Sequence, residues 1–109
     1  MTPALSPSIG VDVVEFKKAS RFYSQHRLTL DAHFSSNEIQ FIRSGKRPVK
    51  RLAMLLAAKE ACFKASSKKS SGFTAFKEVR VLRAGQLTKR VRCVMKPQYV
   101  VAYALASDR

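Results

Sequence analysis

The sequence predicts a single α+β domain, on three observations. Residues Leu52–Lys64 read Leu-Ala-Met-Leu-Leu-Ala-Ala-Lys-Glu-Ala-Cys-Phe-Lys. These are strong helix formers, with no Gly, Pro or β-branched residue among them. Ahead of them, Ile9–Phe16 has a strand pattern, with Ile9, Val11 and Val13 alternating with Gly10, Asp12 and Val14. Behind them, the last third is β-rich and punctuated by turn residues. The chain of 109 residues suits one domain with one modest core. We place that domain at 9–109 and read 1–8, with Pro3 and Pro7, as a loose N-terminal arm.

The elements follow in order. Asp12 interrupts a β-branched run, and Asp is depleted in strands. Two readings stay open for it: a strand-end carboxylate facing solvent, or a metal or phosphate-site ligand. Phe16–His26 is expected to be helical, and Lys17, Lys18, Arg21 and Arg27 give this region a basic surface. Leu28–His33 is a short connection. His26 and His33 read as isolated residues without a chemical role. Ser35-Ser36-Asn37-Glu38 matches a capping box and predicts a helix over 36–43, ended by Ser44-Gly45. Pro48 suits the first turn of the next helix, predicted over 49–65.

Within that helix the stretch from Leu52 is apolar nearly all round as far as Lys59, which predicts burial on most sides. Leu56, Glu60, Phe63 and Lys64 share one stripe, so a carboxylate stands in line with core residues. A buried carboxylate is costly without a partner, so Glu60 is expected to meet a cation or a metal. The plainer reading is a Glu60–Lys64 pair one turn apart. Ser66–Gly72 is a polar loop, either a surface connection or, through Lys68 and Lys69, a phosphate cradle. Strands are expected over 76–82, 88–95 and 99–106, with a turn at Ala84-Gly85-Gln86.

Charge is the strongest global signal. Twenty-one Lys and Arg against seven Asp and Glu give +14, a surface that attracts polyanions. Nucleic acid is the weaker partner class, because the aromatic residues are not interleaved with the basic clusters as stacking platforms. No apolar run is long enough to span a membrane, and the first eight residues lack a signal-peptide pattern, so the expected place is the cytoplasm. Cys62 and Cys93 read as reduced core residues.

Ile9-Gly10-Val11-Asp12-Val13-Val14-Glu15, followed some 45 residues later by Leu56-Ala57-Ala58-Lys59-Glu60-Ala61-Cys62-Phe63-Lys64-Ala65, resembles the holo-acyl-carrier-protein synthases of the 4′-phosphopantetheinyl transferase superfamily. Phe34-Ser35-Ser36-Asn37-Glu38 and Arg51-Leu52-Ala53 also look like that family. The resemblance implies a small antiparallel sheet packed with helices. It implies Mg²⁺-dependent transfer of 4′-phosphopantetheine from coenzyme A to a serine of an apo acyl carrier protein, as in fatty acid biosynthesis, with release of adenosine 3′,5′-bisphosphate. The family's metal carboxylates map onto Asp12 and Glu60. Its phosphate-facing helix lysine maps onto Lys64. With Asp12 able to meet Glu60 over a metal, the metal reading overtakes the plainer one for both. Lys68, Lys69 and Lys96 are further candidates for coenzyme A phosphates. Lys17, Lys18 and Arg21 are candidates for docking the acidic carrier protein. The family forms trimers, which would allow Asp12 and Glu60 to come from neighbouring chains.

The chain departs from the family pattern in its C-terminal part. The family's His near the coenzyme A phosphates has no counterpart in Arg92-Cys93-Val94-Met95-Lys96. Met54-Leu55-Leu56 stands where Gly-Arg-Phe is usual, and the segment between Leu82 and Val91 is short. A scaffold that binds carrier protein or coenzyme A without turnover is therefore the rival reading.

Overall fold

The computed structural model describes residues 9–66 and 76–105. The elements are β1 (Ile9–Glu15), α1 (Phe16–His26), α2 (Ser36–Ser44), α3 (Pro48–Ser66), β2 (Leu82–Arg83), β3 (Gln86–Leu87), β4 (Val91–Met95) and β5 (Tyr99–Leu105). Short 3₁₀ turns occupy Leu30–Ala32 and Phe76–Glu78. The expected arm at 1–8, the end of the last strand at Ala106, and the loop bearing Lys68 and Lys69 lie outside the described residues.

β1, β5 and β4 form an antiparallel sheet in that order, with Asp12 opposite Ala102 and Cys93 opposite Ala102 on the other side. Strand alternation turns Gly10, Asp12, Val14, Val100, Ala102 and Ala104 to one face. That face packs on α3, whose Ala53, Ala57, Ala58, Ala61, Cys62 and Ala65 are buried. Small side chains on the helix let the sheet come close. At Gly10 the approach is closest: a Cβ there would fall on the Ala61 carbonyl oxygen. Leu30, Phe34, Ile42, Leu52 and Leu55 fill the space on the helix side of the core. Each such side chain contributes about 1.5–3 kcal/mol by leaving water.

The capping box forms as the sequence predicts. Glu38 N–H donates to Ser35 Oγ at 3.3 Å, and Ser35 N–H donates to Glu38 Oε1 at 2.9 Å. The predicted strand over 76–82 is a correction. Residues Phe76–Glu78 are a 3₁₀ turn, and pairing begins only at Leu82. The carbonyls of Lys77 and Val79 are taken by a side chain instead of a strand partner. β2 and β3 form a two-residue hairpin through Ala84 (φ +52°) and Gly85 (φ +80°), both left-handed as a type I′ turn requires.

Candidate functional site

Two lysines on α3 reach carboxylates from other elements. Lys59 is fully buried. Its Nζ donates to Glu38 Oε1 at 3.0 Å, Glu38 Oε2 at 2.9 Å, Lys77 O at 3.1 Å and Val79 O at 2.7 Å. It also lies 5.3 Å from the Phe76 ring centroid and 5.8 Å from that of Phe34. Burial pulls the Lys59 ammonium below the ordinary lysine value, and the Glu38 carboxylate only partly offsets this. This cluster ties α2, α3 and the Phe76–Val79 segment together.

Lys64 lies five residues further along. Its Nζ donates to Asp12 Oδ1 at 3.0 Å and to Val11 O at 3.3 Å. The pair is wet on one side: the Lys64 side chain is 50% exposed and that of Asp12 is 18% exposed. Asp12 is therefore not a strand-end residue facing solvent. It sits mid-strand on the face turned to α3, and Gly10 two residues before it sets the close approach that lets Lys64 reach it. Glu60, half-buried, stands one helical turn before Lys64.

The structure thus brings Asp12 to Lys64 of α3, the helix that also carries Glu60. Among the described residues, no group of three or more His, Cys, Asp or Glu could hold a metal ion. Asp12 Oδ1 and Val11 O meet at one point, and both are hard oxygens. That suits Mg²⁺, which commonly takes one or two carboxylates and leaves its other positions to water and substrate phosphates.

The other sequence-predicted residues fall elsewhere. Lys17, Lys18 and Arg21 are exposed on the outer side of α1, while Ala19 is buried on its inner side. Lys50 of α3 stands over the Phe16 ring at 5.3 Å and adds a cation at the start of α1. Lys96 is exposed at the turn between β4 and β5, at the end of the sheet where Phe16 N–H donates to Gln98 O. It stands apart from Asp12, which pairs three positions further along β5 at Ala102. His26 and His33 are not isolated. Their ring centroids lie 5.1 Å apart, and both rings meet Phe22 at the C-terminal end of α1. Burial, with Cys62 nearby, pushes the Cys93 thiol up to about 11.

Sequence reasoning placed the buried carboxylate at Glu60 and missed the Lys59–Glu38 pair. The signal was there: Lys59 is the charge that ends the uninterrupted apolar run Leu52–Ala58, and its carboxylate had already been assigned to a cap. Glu38 does both jobs, with Oε1 accepting from Ser35 N–H and from Lys59.

Comparison with known proteins agrees with this architecture. The family model of the 4′-phosphopantetheinyl transferase superfamily matches residues 8–107. A holo-acyl-carrier-protein synthase of Clostridium kluyveri is 32% identical over 75 residues, covering 69% of this chain and 55% of the relative. The corresponding protein of Chloroherpeton thalassium is 29% identical over 75 residues, covering 68% of this chain and 62% of the relative. The chain thus spans little more than half the length of these curated relatives. Among solved structures, the holo-acyl-carrier-protein synthase of Neisseria meningitidis superposes with a TM-score of 0.73 at 18% identity, covering 92% of this chain and 97% of that one. A synthase–coenzyme A complex from Chronobacterium ammoniagenes gives 0.70 at 22% identity, covering 92% and 96%. With the antiparallel sheet, the α3 motif and a family match over nearly its whole length, the chain belongs to the 4′-phosphopantetheinyl transferase superfamily.

Proposed function

We propose that the protein is a holo-acyl-carrier-protein synthase. It would transfer 4′-phosphopantetheine from coenzyme A to a serine of an apo acyl carrier protein and release adenosine 3′,5′-bisphosphate. The observation that carries this reading is the convergence of Asp12 Oδ1 and Val11 O on the Lys64 ammonium, one turn from Glu60.

Asp12 and Glu60 would hold Mg²⁺. When bound, the ion neutralises charge building on the attacked phosphate and its leaving oxygen. Lys64 sits where its ammonium can pass to the phosphate oxygens, so it stabilises the same charge from the protein side. Asp12 is fixed by the β1–β5 register and Glu60 by a buried helix, so neither has to be ordered at the moment of reaction. Lys68, Lys69 and Lys96 would bind other phosphates of coenzyme A. The exposed Lys17, Lys18 and Arg21 would receive the acidic carrier protein, with an on-rate that falls as salt rises. The outer sheet face carries exposed Ile9, Val11, Val13, Tyr99, Tyr103 and Leu105. A face so apolar supports self-association, and we read it as the contact of a homotrimer. Among the described residues no helix is long and apolar enough to cross a membrane, and we place the protein in the cytoplasm.

A second reading is a member that binds carrier protein or coenzyme A without transfer. It is favoured by the placement of both histidines at the far end of α1, about 16 Å of helix from β1.

Incubation with apo carrier protein, coenzyme A and Mg²⁺, read by intact mass, tests the proposal. The carrier should gain one phosphopantetheine arm, and Asp12→Asn and Glu60→Gln should each abolish the gain. A carrier protein that binds yet never changes mass would leave the scaffold reading.

A further inference from the structure

Two of the contacts of Lys64 look like those of a metal ion. Its ammonium is held by one carboxylate oxygen and one backbone carbonyl oxygen, supplied by the consecutive residues Asp12 and Val11. We propose that Lys64 is the resting occupant of the cation position at Asp12, and that a divalent ion binds there by exchange with it. This rests on the metal-site reading of Asp12 and Glu60.

An ammonium 3.0 Å from Asp12 Oδ1 and beside Val11 O takes the place a divalent ion would need on those two oxygens, and two cations so close repel. Lys59, the other lysine that α3 commits to a carboxylate, cannot make such an exchange. It is buried and held by four oxygen acceptors. Lys64 is half exposed and carried on a flexible four-carbon stem, so it can swing away while α3 stays in place. An exposed pair of this kind is weakly held, which makes it replaceable. The exchange leaves Asp12 neutralised throughout and sends the ammonium outward, toward the side on which a phosphate would arrive. Metal binding and phosphate binding are then coupled through one side chain, and each strengthens the other.

Mn²⁺ titration of the full chain without coenzyme A, followed by the EPR signal of the free ion, tests the exchange. Lys64→Met should bind Mn²⁺ about 3- to 5-fold more tightly than the wild type, by loss of a competing exposed ion pair. Lys64→Gln should do the same, guarding against a folding defect in one variant. Lys50→Met, which removes a lysine at the other end of α3, should stay within about two-fold if general charge is screened. Asp12→Asn should weaken binding in every background. Equal or weaker binding in both Lys64 variants overturns the exchange while leaving the metal site standing. A Lys50→Met gain as large as that of Lys64→Met overturns it as well. Absence of Mn²⁺ binding in all forms overturns the metal reading and this proposal with it.

Discussion

Lys59 and Lys64 are five residues apart on one helix, and each meets a carboxylate from another element at about 3 Å. Their surroundings differ. Lys59 and Glu38 have side chains 0% and 4% exposed, and their polar atoms are shared among a cap, two backbone carbonyls and each other. Lys64 and Asp12 are 50% and 18% exposed. The first pair is a structural joint with nowhere to go. The second is a contact that water and ions can reach. Distance alone does not separate the two pairs; burial does.

The largest expected effect comes from breaking the dry pair on one side. Glu38→Ala leaves Lys59 buried and uncompensated and removes half of the capping box. It should destabilise the fold by about 3–5 kcal/mol, read by denaturant unfolding. Replacing both partners, as Glu38→Leu with Lys59→Met, should recover most of that loss, because the cost lies in the stranded charge.

Gly10→Ala attacks the joint that creates the wet pair. A methyl group cannot fit beside the Ala61 carbonyl, so β1 must move off α3. The expected cost is about 1–3 kcal/mol, with metal binding weakened as Asp12 moves away from the helix of Glu60. A smaller effect follows at the wet pair itself, where Lys64→Met should change stability by no more than about 1 kcal/mol.

pH sharpens the contrast further. The unfolded chain keeps the Lys59 proton up to the ordinary value of 10.5, whereas the folded chain releases it at a lower pH. Between the two values the unfolded state binds more protons, so this lysine makes stability rise with pH across that window. Relative to wild type, the Lys59→Met/Glu38→Leu variant should lose this rise in unfolding experiments on the alkaline side.

Much of this was legible in the sequence. The capping box, the turn at Ala84-Gly85, β1, β5 and the two long helices follow from local chemistry: a Ser with Glu three residues on, a Gly at positive φ, alternation, and uninterrupted helix formers. The family motif named Asp12 and Lys64 as site candidates but did not announce that they pair with each other. Three other things were not legible. Residues Phe76–Val79 alternate like a strand, but their carbonyls are captured by Lys59 from another element, and no local pattern announces that. Lys59 and Glu38 are 21 residues apart, and their meeting depends on how α2 packs on α3. The role of Gly10 depends on the helix that crosses it.

We propose Lys64–Asp12 as the working pair and Lys59–Glu38 as the structural one. The most direct measurement takes Lys64→Met through phosphopantetheine transfer and denaturant unfolding on the same sample. Transfer should fall by about 10²–10³-fold, the scale of one lost charge-stabilising donor, with stability nearly that of the wild type. Transfer undiminished in a folded Lys64→Met protein would contradict it.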